Sequence, residues 1–155
     1  MASSSVNLTG ARLRETSTDK KFDLGTSTYD DLGSRWEYVQ ASGAITIYDY
    51  VKIDDDFQAA SATTTTNPST EPARVGCAQV AFADNEYGWV VRSGQHTGRF
   101  AASCVQDVKI YTTATAGVVD DAATTLINGL KLITTITSAA NAAAFAACDM
   151  TTAAA

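Results

Sequence analysis

From Ser34 onward the chain repeatedly alternates apolar and polar side chains, and the runs stop at glycine, proline or acidic residues. A period of two is the pattern of a half-buried strand, whose successive side chains point to opposite faces. "SRWEYVQASGAITIYDYVKI" puts Trp36 and Tyr38 on one side and Glu37 on the other. It turns at Ser42-Gly43 and alternates again, Ile45 and Ile47 against Thr46, Tyr48 and Tyr50, which predicts a β-hairpin closed by Asp54-Asp55-Asp56. Residues 61–72 are polar and hold both prolines, the composition of a loop.

"ARVGCAQVAFA" predicts the next strand, with Gly76 marking a bulge or a close backbone approach. "GWVVRSG" predicts a strand with Trp89 and Val91 on one face, "SGQHTGR" an exposed turn carrying His96, and "RFAASC" another strand. "VKIYTTATAGVVDDAATTLINGLKLITTIT" divides into three more. The one helical candidate is Ala139–Cys148, because alanine is the best helix former, though side chains this small also pack in tight β-structure. Short strands at close intervals predict an all-β fold, a small β-barrel or β-sandwich. Its core is expected to hold Trp36, Val80, Phe82, Trp89, Val91, Ile110 and Leu130.

Residues 1–33 lack periodicity over any useful length, which divides the chain into an extended N-terminal arm (1–33) and a β-rich body (34–155). Charge follows the same division. The chain carries a formal −6, yet residues 1–35 hold five basic and five acidic groups, so the excess lies in the body. The first twenty-two residues set Arg12, Arg14, Lys20 and Lys21 against Glu15 and Asp19. Such a strap can reach acidic grooves on a partner, with Leu13, Phe22, Leu24 and Tyr29 as apolar anchors. An acidic body with no basic stripe excludes nucleic acid as a direct partner. No stretch has the length and apolarity of a membrane span or an export leader, and three free, buried cysteines are expected, without disulfides.

Candidate chemistry is sparse. The single histidine, His96, lies eight residues from Cys104, and a hairpin could pair them, but no nucleophile signature surrounds the thiol. One histidine and three scattered cysteines do not make a zinc site. Asp54-Asp55-Asp56 and Asp120-Asp121 offer oxygen ligands without the spacing of a calcium loop. Glycine-rich phosphate loops are absent. The expectation is no enzyme, no cofactor and no metal. The aromatic set Trp36, Tyr38, Tyr48, Tyr50, Tyr87 and Trp89 leaves a carbohydrate-binding domain as the alternative, provided the tryptophans are exposed. A small enzyme with a carboxylate pair close only in space is the other rival.

Three segments, "GSRWEYVQASGAIT", "RVGCAQVAFADNEYGWVVRSG" and "KIYTTATAGVVDDAATTLINGL", occur in an order that resembles the capsid decoration, or cement, proteins of tailed bacteriophages. Arg74 to Val90 and Ile110 to Asp121 carry the resemblance most closely, with Cys77 where a small aliphatic residue is usual. The resemblance spans roughly Gly33 to Leu130. It implies a structural virion protein on the outer capsid surface, made in the host bacterial cytoplasm, that stabilises the shell by bridging major capsid protein subunits. It does not fix the oligomeric state; a Thr- and Ala-rich surface of low charge leaves apolar area that a second copy can cover, and a homotrimer is expected ahead of a dimer.

Overall fold

The computed structural model describes residues 10–66 and 71–153, and none of them is helical. Ten strands follow in order: β1 (Ser27–Tyr29), β2 (Arg35–Ala41), β3 (Tyr50–Ile53), β4 (Gln58–Ser61), β5 (Arg74–Ala78), β6 (Tyr87–Phe100), β7 (Ile110–Thr112), β8 (Val119–Asp120), β9 (Leu126–Leu132) and β10 (Ala140–Thr152). The all-β class expected from the alternation is what forms.

The strands join into two closed rings that share β6. In the first, β2 pairs with β4, β4 with β3, β3 with β5, β5 with β6, and β6 returns to β2. In the second, β6 pairs with β8, β8 with β7, β7 with β9, β9 with β10, and β10 returns to β6. Each ring has its own apolar cluster. Val39, Ile45, Val51, Ile53, Ala59, Phe82 and Val90 belong to the first. Tyr50, Phe100, Ile110, Ile127, Leu132 and Met150 belong to the second, with Cys77 and Cys104. Tyr50 and Val51 are neighbours on β3, and the pleat sends one into each cluster. A third cluster, Trp36, Tyr38, Trp89 and Val91 with Ala11 and Leu13, lies on the other face of the β2–β6 pair.

Of the expected core residues, Trp36, Phe82, Trp89, Val91, Ile110 and Leu130 are buried, and Val80 is half-buried against the first cluster. Four other expectations are corrected. The β2–β3 hairpin does not form: β2 pairs with β1, β4 and β6, and Ile45 instead bridges Phe82. Residues 87–100 make one fourteen-residue strand, so His96 sits mid-strand and buried rather than on an exposed turn. The glycines read as turn signals provide space: a Cβ on Gly98 would fall about 2.5 Å from the Tyr50 ring. Ala139–Cys148 is extended, not helical, because β10 threads between β6 and β9 with Ala144 and Ala146 fully enclosed, where larger side chains would not fit. Gly76 does mark a close approach, its missing Cβ lying 2.8 Å from Val90 Cγ2.

The fourth correction concerns the arm, whose first nine residues lie outside the described residues. Residues 10–33 lie on the body. Ser17 and Tyr87 exchange backbone hydrogen bonds of 2.9 and 2.8 Å, and β1 pairs antiparallel with β2. Leu13 is completely buried and Ala11 nearly so. An alternation of only two inward residues is too short to register as a period, yet it seats the strap.

Candidate functional site

The strap and the sheet beneath it bring together most of the residues singled out for binding. Trp89 and Tyr38 pair across β6 and β2, ring centres 5.0 Å apart, and Phe22 packs on both, at 5.2 Å from Trp89 and 5.3 Å from Tyr38. Edge-to-face contacts of this kind add to simple area burial. The Lys21 amide donates to the Tyr38 hydroxyl at 3.2 Å. A cavity of about 200 Å³ remains between Gly10, Ser17, Lys21, Phe22 and the rings of Tyr38 and Trp89. Trp36 and Trp89 are 3% and 2% exposed, so neither offers a solvent-facing platform for a sugar.

The expected arm contacts separate into two groups. Leu13 is spent inside the fold and Leu24 is half-buried against the same cluster. Arg12 pairs with Glu15 at 3.0 Å and Lys20 with Asp23 at 3.4 Å, exposed pairs worth little to stability. Arg14, Lys21, Phe22 and Tyr29 face solvent, Tyr29 at 61%. Leu32, which the sequence reading did not single out, is 63% exposed in the same segment. Arg14 and Leu32 border a cavity of about 420 Å³ with Asp30, Gln95, His96 and Thr97. The Asp30 carboxylate accepts from the Leu32 and Ser34 amides and from Trp36 Nε1, all at 2.9 Å, and so builds the turn that presents Leu32.

His96 does not meet a thiol. Its Nδ1 lies 3.1 Å from the Gly94 carbonyl, which can only accept, so Nδ1 carries the proton. Nε2, at 3.1 Å, therefore accepts from the Tyr50 hydroxyl. Burial lowers the imidazole pKa to about 4 and raises that of Tyr50 well above its ordinary value, so both stay neutral. Cys77 is enclosed nearby, its sulfur donating to the Thr97 carbonyl at 3.3 Å. Burial first, and then the Asp49 charge, raise its pKa well above normal, leaving no thiolate. This is a satisfied buried network, not a nucleophile and base.

Cys104 sits elsewhere, where its sulfur and the carboxylates of Asp120 and Asp121 come within 4.8 Å of one another. Burial, then the charges of Asp121 and Asp120, push its pKa up to about 11. Asp121 accepts the Val105 amide at 2.9 Å and Asp120 the Asp121 amide at 2.8 Å. The sequence had named Asp120-Asp121 but not the thiol, which arrives from a loop sixteen residues away. Asp54, the other oxygen-ligand candidate, accepts the amides of Asp56 and Gln58 and shapes the β3–β4 turn. The third cysteine, Cys148, is exposed, against expectation, because the β9–β10 register shifts between Ala146 and Thr151.

Sequence reasoning missed the buried charges. Glu37 and Arg92 lie on the face of the β2–β6 pair away from the tryptophans, their side chains 5% and 4% exposed and 3.7 Å apart. Arg35 joins Glu37 to Asp149 on β10. Burial lowers the Arg92 pKa, against the favourable charge of Glu37. Asp49 is also buried, paired with Arg99 and accepting Ser61 Oγ at 2.9 Å. The available signal was an arginine inside the apolar run "GWVVRSG". No family model, curated protein or solved structure matches this chain.

Proposed function

We propose that the protein is a non-enzymatic structural component of a virion that attaches to the outer surface of a phage capsid, bridges major capsid subunits and associates with its own copies. What carries the reading is the placement of the resembling segments. Arg74 to Val90 contributes β5 and the start of β6, where the two rings are joined, and Ile110 to Asp121 contributes β7 and β8, which complete the second ring. The resemblance therefore falls on the framework of the fold rather than on one exposed loop. The acidic body suits a position away from packaged DNA. A role without turnover is supported by the state of the histidine and of two of the three thiols, which are neutral and enclosed.

The attaching surface is placed on the exposed side of residues 12–32: Arg14, Lys21, Phe22, Tyr29 and Leu32. Leu13 is withdrawn from that role because the fold already uses it. The test is cosedimentation of the purified full chain with empty shells of the cognate major capsid protein. Saturable binding is expected, weakened by Leu32→Ala with Tyr29→Ala. A chain that stays in the supernatant at shell concentrations well above micromolar refutes the proposal.

A further inference from the structure

Asp120 ends β8 and Asp121 follows it, while the loop between β6 and β7 carries Cys104 to the same place. The Cys104 sulfur and one oxygen of each carboxylate all lie within 4.8 Å of one another. Two further observations set this group apart from an ordinary acidic turn. Cys104 has no exposed surface, yet its thiol donates to no acceptor among the described residues. Neither aspartate pairs with a lysine or arginine among those residues, although every other buried carboxylate does. Two half-buried carboxylates thus stand together with no positive charge beside them, and a fully buried sulfur is aimed between them, an arrangement that costs free energy until a cation joins it. The amides of Asp121 and Val105, which donate to Asp120 and Asp121 at 2.8 and 2.9 Å, also favour the anionic form of the sulfur.

We propose that Cys104, Asp120 and Asp121 bind a thiophilic divalent cation of the zinc type. Zinc takes a cysteine sulfur at about 2.3 Å and a carboxylate oxygen at about 2.0–2.2 Å, which in a tetrahedron sets ligand atoms roughly 3.3–3.6 Å apart. The three atoms therefore need to draw together by at most roughly 1.5 Å, a shift that side-chain rotation supplies. The fourth position falls on the side of the half-buried aspartates and is left to water. The donor set selects against the hard cations: calcium takes about six to eight oxygens and magnesium about six, and neither favours a thiolate. On binding, the sulfur–metal bond replaces the S–H bond, and the proton leaves to solvent. The ion would pin the β6–β7 loop to the end of β8. The expectation of no metal came from spacing alone, and the ligand it lacked is the thiol. The inference does not depend on the shell reading.

The test uses the full chain without a histidine tag, in a Cys148→Ser background so that the exposed thiol cannot take the metal. One equivalent of zinc chloride should bind. At free zinc about a hundredfold above its dissociation constant, Tm should rise by roughly 5–10 °C. Cobalt(II) in place of zinc should give a thiolate-to-metal charge-transfer band that added zinc removes. Cys104→Ser should abolish both the band and the rise in Tm. Asp120→Asn keeps an oxygen that accepts the Asp121 amide, so it should fold as the parent does and bind zinc roughly tenfold or more weakly. Calcium chloride at the same concentration should leave Tm unchanged. Absence of saturable zinc binding overturns the proposal, as does a charge-transfer band that survives Cys104→Ser. So does zinc affinity unchanged in Asp120→Asn, or stabilisation by calcium equal to that by zinc, which would mark an acidic pair only.

Discussion

Replacing Leu13 by alanine asks whether residues 10–33 belong to the fold. Leu13 has no exposed surface, and it packs with Trp36, Tyr38, Trp89 and Val91. Truncating a fully enclosed leucine costs about 2–5 kcal/mol, the range reflecting how far the surroundings can close over the cavity. Here the covering strap is held by the Ser17–Tyr87 bridge and by β1, and can settle inward between them. The lower part of the range applies, about 2–3 kcal/mol. For a chain of this size that is a fall in Tm of roughly 5–10 °C. Urea denaturation should show a lower midpoint at an unchanged slope, since the surface exposed on unfolding is nearly the same. Leu32→Ala, at a position 63% exposed, is the control and should stay within about 0.5 kcal/mol of the parent. If Leu13→Ala matches that control, the strap is a passive tail and its packing contributes nothing.

Three other outcomes follow from buried groups. His96 titrates near pH 4 when folded against about 6.5 unfolded, so the unfolded state binds more protons in that window, and stability present above pH 6.5 declines as pH falls towards 4. The loss is at most roughly 3 kcal/mol, and His96→Gln should flatten that part of a stability-versus-pH curve. A thiol reagent should label Cys148 in the native protein, and Cys77 and Cys104 only after denaturation; three equivalents reacting natively contradicts the burial. Gly98→Ala drives a methyl group into the Tyr50 ring and should cost about 1–3 kcal/mol in chemical denaturation, whereas an unchanged midpoint would mean the ring moves aside freely.

The strands most visible in the sequence are those with one face in a cluster and one in water. β9 reads so, with Ile127, Leu130 and Leu132 buried between more exposed neighbours. β6 was legible only at its ends. It borders both rings and so lacks a single polar face, and Gly94 and Gly98, which ordinarily signal turns, admit Ser34 and Tyr50. β10 was ambiguous for a related reason: propensity favoured helix for its alanines, while small side chains also suit tight β-structure, and the narrow space between β6 and β9 decides for the strand. For the candidate site, Trp36, Tyr38 and Trp89 were found by alternation. The seat of Leu13 and the meeting of Cys104 with Asp120 and Asp121 were not, since both depend on segments joined only by the fold.

The shared strand also has a consequence in time. β6 takes partners from residue 35 in β2 through to residue 146 in β10, so each ring is closed by pairing segments that lie far apart along the chain. Contacts between such distant segments are formed only after long loops close, and folds dominated by them assemble in milliseconds to seconds rather than microseconds. On the ribosome β6 emerges before β7 to β10, and must wait with its second side unpaired until the last strand arrives.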